Sequence, residues 1–395
     1  MEILFYRYGS ICEPDVIDCF RKMGLQVVEE QTQISKKGTT PEETVDAVSA
    51  LLDAHRFLFV FSINFFPAVS ETCRIYRTPY VCWTVDVPVM ELFSPALSNE
   101  CNLVFLFDRS QYEYFRPRNP GRIFHLPLAT NTERWDSVIR GASAAERKRF
   151  SADVSFIGSL YSEKNPYPKI GKLDEFTRGY LEGIMEAQTK LWGVNFLEQM
   201  LSGDVIEALK PSVPDLNVGF CKDDPAAQRY LIAHEFLGSQ LAETERKRYL
   251  GLLSEHFDLE LYTLSDPSPL PNAHVHPEGA ATLTEMPLVF HESRININIT
   301  MRPIASGLSL RLFDVCGCGG FLLTNVQPEL CELYEPGTEV ETYSSAEEML
   351  DKAAWYLEHE EERAAIARAA YERTKAEHTY EKRVSEMIRI INSTI

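Results

Sequence analysis

Short apolar runs, each too brief for a helix, alternate with helix-length segments along most of the chain. That alternation restricts the fold more than any other feature. Residues 3–6, 25–28, 57–61, 80–85 and 103–107 read as strands, being rich in aromatic and β-branched side chains. From about Pro14, the residues Val16, Ile17, Phe20 and Met23 follow helical spacing, and Thr40-Pro41-Glu42-Glu43 opens a second helix with an N-cap, a first-turn proline and an acid at the third position. Strands alternating with helices imply a parallel sheet covered on both faces. Ligands of such sheets bind beyond the carboxyl ends of the strands, where Asn64, Asp86, Asp108 and Arg109 follow three of the runs.

At 395 residues the chain exceeds the ~250–300 residues at which one hydrophobic core stops growing, so two domains are expected. A charged segment, 136–151, reads as a linker, and a fresh strand at 154–157 runs into Gly158-Ser159. Residues 174–250 are helical and polar-faced; strands return at 259–264, 295–299 and 320–323, and helices close the chain. The expected organisation is an α/β domain over 1–150, a second over 151–378 with a helical insertion at about 174–250, and a terminal helix over 379–395.

With 58 acids against 39 bases the net charge is −19, a field that repels polyanions and excludes non-specific nucleic-acid binding. Nine cysteines, odd in number and without a Cys-x-x-Cys pair, point to reduced thiols and a cytoplasmic location. The amino terminus lacks the basic and apolar regions of a signal peptide, and no run reaches the ~20 apolar residues that span a bilayer.

The segment most suggestive of chemistry runs from Arg302 to Asp314 and continues through Cys316-Gly317-Cys318-Gly319-Gly320. It follows a strand and opens a helix whose first-turn amides, expected at Gly307, Leu308 and Ser309, attract phosphate. Arg302 would neutralise a diphosphate. Asp314, eight residues beyond Ser306, has the reach to accept hydrogen bonds from ribose hydroxyls. The plainer alternative is that Ser306 caps a structural helix and Arg302 and Asp314 pair with neighbours. His274 and His276, flanking Val275 in a proline-rich stretch, read as a solvated loop rather than a metal site.

Residues 293–300, 321–325, 339–342, 358–363 and 378–380 together resemble the donor-binding half of GT-B glycosyltransferases, in particular the branch typified by the spore maturation protein CgeB. Asn64-Phe65-Phe66-Pro67, Trp83-Thr84-Val85-Asp86-Val87-Pro88, residues 105–109 and residues 126–131 are similar to the domain that accompanies it. The resemblance implies two Rossmann-like domains facing a cleft, with a nucleotide-sugar donor on the second and a glycan or protein acceptor on the first. It implies hexosyl or deoxyhexosyl transfer, no obligatory metal and a role in bacterial surface glycosylation. No Asp-x-Asp pair, the usual clamp for a metal-bound diphosphate, occurs in the chain.

In these terms Asp86 is the candidate base that takes the acceptor hydroxyl proton, its pKa raised through partial burial by aromatic neighbours; otherwise it caps a turn. Gly9, Ser10, Asn64, Trp83 and Asp108 are the acceptor-side candidates. Gly158, Ser159, Glu285, Arg294, Arg302, Ser306, Gly307, Leu308, Ser309 and Asp314 are the donor-side ones. Many retaining GT-B enzymes carry two glutamates eight positions apart; here the pair is Ser306 and Asp314, so the sugar contact is missing while the ribose contact remains. A non-catalytic nucleotide-sugar-binding scaffold for surface polysaccharide or spore-coat assembly is the alternative function.

Overall fold

The computed structural model describes residues 1–36, 38–268 and 270–394. Two compact units are present, one made of Met1–Leu128 with Tyr380–Ile395 and the other of Ala129–Thr379.

The first unit is built on a parallel sheet of β1 (Glu2–Tyr6), β2 (Gln26–Glu30), β3 (Val60–Ile63), β4 (Tyr80–Thr84), β5 (Asn102–Leu106) and β6 (Ile123–His125), in the order β2-β1-β3-β4-β5-β6. The inner strands β3, β4 and β5 are buried at every position, as their unbroken apolar runs require. The third run starts its strand at Val60 rather than residue 57, because Phe57 stacks on His55 outside the sheet. Thr40 and Glu43 form the expected capping box at the head of Pro41–Ala54, a motif worth about 1 kcal/mol. The helix Tyr380–Thr394 completes this unit: Tyr380 lies edge-on to Trp83, and Arg383 Nε donates to the carbonyls of Pro127 and Leu128 at 3.0 and 3.3 Å.

The second unit carries β7 (Ala152–Ile157), β8 (Leu259–Tyr262), β9 (His274–His276), β10 (Ser293–Asn298), β11 (Leu322–Asn325) and β12 (Glu341–Tyr343), all parallel, in the order β12-β11-β10-β7-β8-β9. Its first elements are the helices Thr132–Gly141 and Ala144–Phe150, which pack against Met286–Glu292. The stretch expected to be a linker is therefore helical, with Ser143 and Glu146 forming a second capping box, and the division between units falls at 128/129 rather than near 150. Helices fill most of the segment between Glu175 and His256. Residues 274–276 are an edge strand and not a loop; its pairing with β8 lies outside the reach of local sequence pattern.

A buried polar ladder runs along central strand β10. Asn296 Oδ1 accepts from the Ser155 hydroxyl and its Nδ2 donates to the Phe290 carbonyl; Asn298 Nδ2 donates to the hydroxyls of Thr300 and Thr324. Asn325 Oδ1 accepts from the Thr300 amide at 2.7 Å, fixing the chain where it leaves the carboxyl end of β10.

Gly320, just before β11, has no room for a side chain. A Cβ there would overlap the Phe290 carbonyl oxygen and stand 2.8 Å from Asn296 Nδ2, both held in that ladder. Gly320→Ala is expected to destabilise the second unit by ~1–3 kcal/mol through overpacking, read as a lower urea midpoint for its transition; an unchanged midpoint would contradict this packing.

Candidate functional site

At the carboxyl ends of β1, β3 and β4 the first unit gathers three polar side chains. Asn64, held at φ 59°, donates from Nδ2 to Asp86 Oδ2 at 2.7 Å and to the Tyr8 hydroxyl at 2.9 Å, while its Oδ1 accepts from the Val85 amide at 3.0 Å. The Tyr8 hydroxyl also donates to Asp86 Oδ2, at 3.4 Å. Burial and then the nearby Asp86 charge push the Tyr8 phenol well above its ordinary pKa, so it stays protonated as a donor. The loop after β1 is shaped by fully buried Glu13, which accepts from Arg7 Nε and from the amides of Tyr8 and Gly9. Gly9, at φ 97°, and Ser10 lie in that loop, at the same strand ends as Asn64 and Asp86.

Three acceptor-side expectations are corrected. Asp86 is exposed rather than partly buried by aromatic neighbours. Trp83 is fully buried, its indole N–H donating to the Leu126 carbonyl at 3.1 Å, and it is a core residue. Asp108 is also fully buried and caps Arg109–Phe115 by accepting from the Gln111 amide.

In the second unit the expected phosphate cation is not available. Arg302 is 4% exposed and its guanidinium is bound to buried Glu245, with Nε at 2.9 Å and Nη2 at 2.6 Å from Oε1; it also donates to the Leu191 carbonyl and stacks on Trp192 at 3.7 Å. Arg294 stands at the amino end of β10, bound to Asp153 and to the Leu357 carbonyl, about 13 Å of strand away from the carboxyl end. The helix opens at Leu310 with Ser309 as N-cap, so its first-turn amides are those of Leu310 and Arg311 rather than those of residues 307 to 309. The side chain of Leu308 belongs to the core.

Two other arginines stand near the carboxyl ends of this sheet and the start of the helix that follows β10. Arg246, on the helix Gly238–His256, reaches the carboxyl ends of β7 and β10, donating to the Ser159 carbonyl at 2.5 Å and the Ile299 carbonyl at 3.0 Å. Its Nε is shut off from water and has no hydrogen-bond partner. Arg311, in the first turn of Leu310–Gly317, packs over Phe290 with Nη1 3.7 Å from Met286 Sδ. Among the described residues neither guanidinium has a carboxylate within ion-pair distance. Desolvation pushes both below the usual arginine pKa; at Arg311 the Asp314 charge acts against this and the Arg246 charge adds to it. Gly158 and Ser159 lie beside Arg246; Ser159 Oγ donates to Glu163 Oε1 at 2.6 Å and accepts from the Tyr161 amide at 2.8 Å.

The remaining donor-side residues are engaged within the unit. Asp314 is 6% exposed, and its Oδ1 accepts from the Thr130 hydroxyl at 2.6 Å, which in turn accepts from Trp135 Nε1. The Ser306 hydroxyl donates to Glu329 Oε1 at 2.7 Å, so an acid absent from position 306 stands beside it from 23 residues further on. Gly307 presents its carbonyl to Gln327 Nε2. The Glu285 carboxylate accepts from the Ala281 amide and faces Arg149 at 3.5 Å, closing a turn before Met286–Glu292. Sequence reasoning missed Tyr8, Glu13, Arg246, Arg311 and Glu329. One signal was present: a cation in the first turn of a helix opposes the helix dipole unless an anion sits there.

Comparison with known proteins follows from this arrangement. Residues 239–389, which hold Arg246, Arg311, Asp314 and Glu329, match a family described as glycosyl transferase-like. No curated protein sequence matches the chain significantly. Solved structures similar to the whole chain include Anabaena HepE in complex with UDP and glucose, at 12% identity and a TM-score of 0.53 with 100% of both chains covered. Sucrose-phosphate synthase from Thermosynechococcus elongatus gives 10% identity and a TM-score of 0.57, and a Rickettsia africae glycosyltransferase 7% and 0.55, each covering 100% of this chain and 98% of its own. The chain thus has the α/β fold of GT-B glycosyltransferases, and its residues 239–389 are similar to a glycosyl transferase-like family.

Proposed function

We propose that the protein is a glycosyltransferase that moves a hexosyl or deoxyhexosyl group from a nucleotide sugar to a hydroxyl of a glycan or protein. One observation carries this reading: the guanidinium groups of Arg246 and Arg311 stand at strand ends and a helix start with no carboxylate within ion-pair distance among the described residues, Arg246 held by two backbone carbonyls and the rings of Phe156 and Tyr161, Arg311 over Phe290. A half-buried guanidinium without a carboxylate at ion-pair distance is stabilised by an anion, and a diphosphate supplies two or more negative charges to fill that position. They lie at strand ends and a helix N-terminus, where an open α/β sheet binds phosphate. HepE was solved with UDP and glucose, which makes a uridine nucleotide sugar the first donor to test.

In this scheme the leaving diphosphate gathers charge against fixed guanidinium groups, a stabilisation that needs no metal at that place. Asp86 takes the acceptor hydroxyl proton as the oxygen bonds to the anomeric carbon and the bond to the diphosphate breaks. Asn64 and the protonated Tyr8 orient the carboxylate. Asp314 is the ribose contact, exchanging its Thr130 bond for sugar hydroxyls. We further place the protein in the CgeB-like branch, in the cytosol, in the glycosylation of bacterial surface material; nine cysteines without a disulfide among the described residues suit a reducing compartment.

Arg246→Met and Arg311→Met should each weaken UDP affinity ~10- to 100-fold by calorimetry, the value of a hydrogen-bonded charge; unchanged affinity in both variants removes the donor site. Arg302→Met should act differently. By stranding buried Glu245 it should destabilise the second unit by ~3–5 kcal/mol in urea unfolding, and a stable variant with weakened UDP binding would restore Arg302 as the phosphate cation. Asp86→Asn should lower sugar transfer ~10²–10⁴-fold with UDP affinity retained. Donor binding by the wild type with no sugar released over many hours would favour a scaffold instead.

A further inference from the structure

We propose that the edge of the second sheet holds a divalent transition-metal ion, zinc by its donor set, bound by Asp258, Glu260 and His274. Neither the nucleotide site nor the transfer reaction enters the argument.

The pairing of β8 with β9 sets Glu260 directly across from His274, so the two side chains rise from one face of the sheet. Asp258, immediately before β8, turns to the same place. His274 Nδ1 lies 3.1 Å from Asp258 Oδ1 and 3.2 Å from Glu260 Oε1, and all three ligand atoms fall within 4.8 Å of one another. Ligands on a tetrahedral zinc, with bonds of ~2.0–2.2 Å, stand about 3.3 Å apart; the two nitrogen–oxygen separations already have that size.

His274 Nδ1 carries at most one proton, which the two carboxylates it faces must share. A cation at their centre satisfies both, and relieves the repulsion between two acids on a chain of net charge −19. The site is also supported from behind. His276, two residues along the same strand, holds the other oxygen of Glu260 at 2.5 Å, and its ring is fixed by stacking on Tyr262 at 4.1 Å and 5°. That bond leaves Oε1 for the metal and orients it, as outer partners of metal ligands do. Three protein ligands leave the fourth position to solvent. The imidazole selects zinc over magnesium or calcium, which favour all-oxygen sites. The ion would clamp the three-residue strand β9 to its neighbour.

The test uses chelator-stripped full-length protein carrying Cys331→Ser, which removes an exposed thiol. Calorimetry with zinc chloride should show one equivalent bound, cobalt(II) should give the visible bands of a tetrahedral site, and magnesium should give no heat. His274→Ala and the conservative Asp258→Asn, both at exposed positions, should weaken zinc binding ~10- to 100-fold while UDP affinity is unchanged. Full zinc binding in both variants, or no zinc bound by the parent protein, would overturn the proposal. Loss of UDP binding with zinc binding intact would count against the donor site alone.

Discussion

The buried ion pair between Glu245 and Arg302 decides how charge is distributed over the second unit. Glu245 and Arg246 are neighbours on one helix, about 100° apart around its axis, so they face different surroundings. Glu245 is consumed by Arg302, which stacks on Trp192 and ties the chain beyond β10 to the Leu191 carbonyl. Arg246 is thereby left with two backbone carbonyls and the rings of Phe156 and Tyr161. Had Glu245 been apolar, Arg302 would be a buried orphan; had Arg302 been apolar, Glu245 would compete for Arg246. The pair satisfies itself and leaves a positive field a few residues away.

That field is useful because the strands around it are rigid. Asn296, Asn298 and Asn325 bond across β7, β10 and β11 as well as to the loops that follow, so the carboxyl ends of the sheet are held by side chains in addition to the ladder. The first unit uses a similar device at smaller scale, where Asn64 ties the end of β3 to Asp86 and Tyr8. Both sheets therefore place polar groups at the same topological position, one set cationic and the other carrying a carboxylate.

The alternation of strand and helix was readable because inner parallel strands are apolar throughout and the capping residues obey local chemistry, as Thr40 and Glu43 do. The three-residue edge strands β6, β9 and β12 escaped, while the longer edge strand β2 did not; β9 consists of two histidines around a valine, a pattern that says nothing until β8 is beside it. In the strand-to-helix segment around residues 302–314, the arginine read as a phosphate cation is bound to Glu245. A cation's partner is a long-range fact: Glu245 lies 57 positions from Arg302 and no spacing rule joins them. For the same reason Arg246, in a polar helical stretch without a motif, gave no sign, and Trp83 looked like a ligand contact when it is covered by the last helix.

The coverage of Trp83 has a consequence for biosynthesis. The first unit is discontinuous in sequence, with about 250 residues of the second unit interposed before its final helix is made. At ~5–20 residues per second a ribosome takes roughly 13–50 s to cross that interval. Throughout it the nascent amino-terminal sheet has Leu126, Leu128 and the helix Glu13–Lys22 without Val384, Met387 and Ile391 as neighbours, an apolar seam waiting on the translation of its lid. The first unit therefore buries this seam only after the second unit has been synthesised.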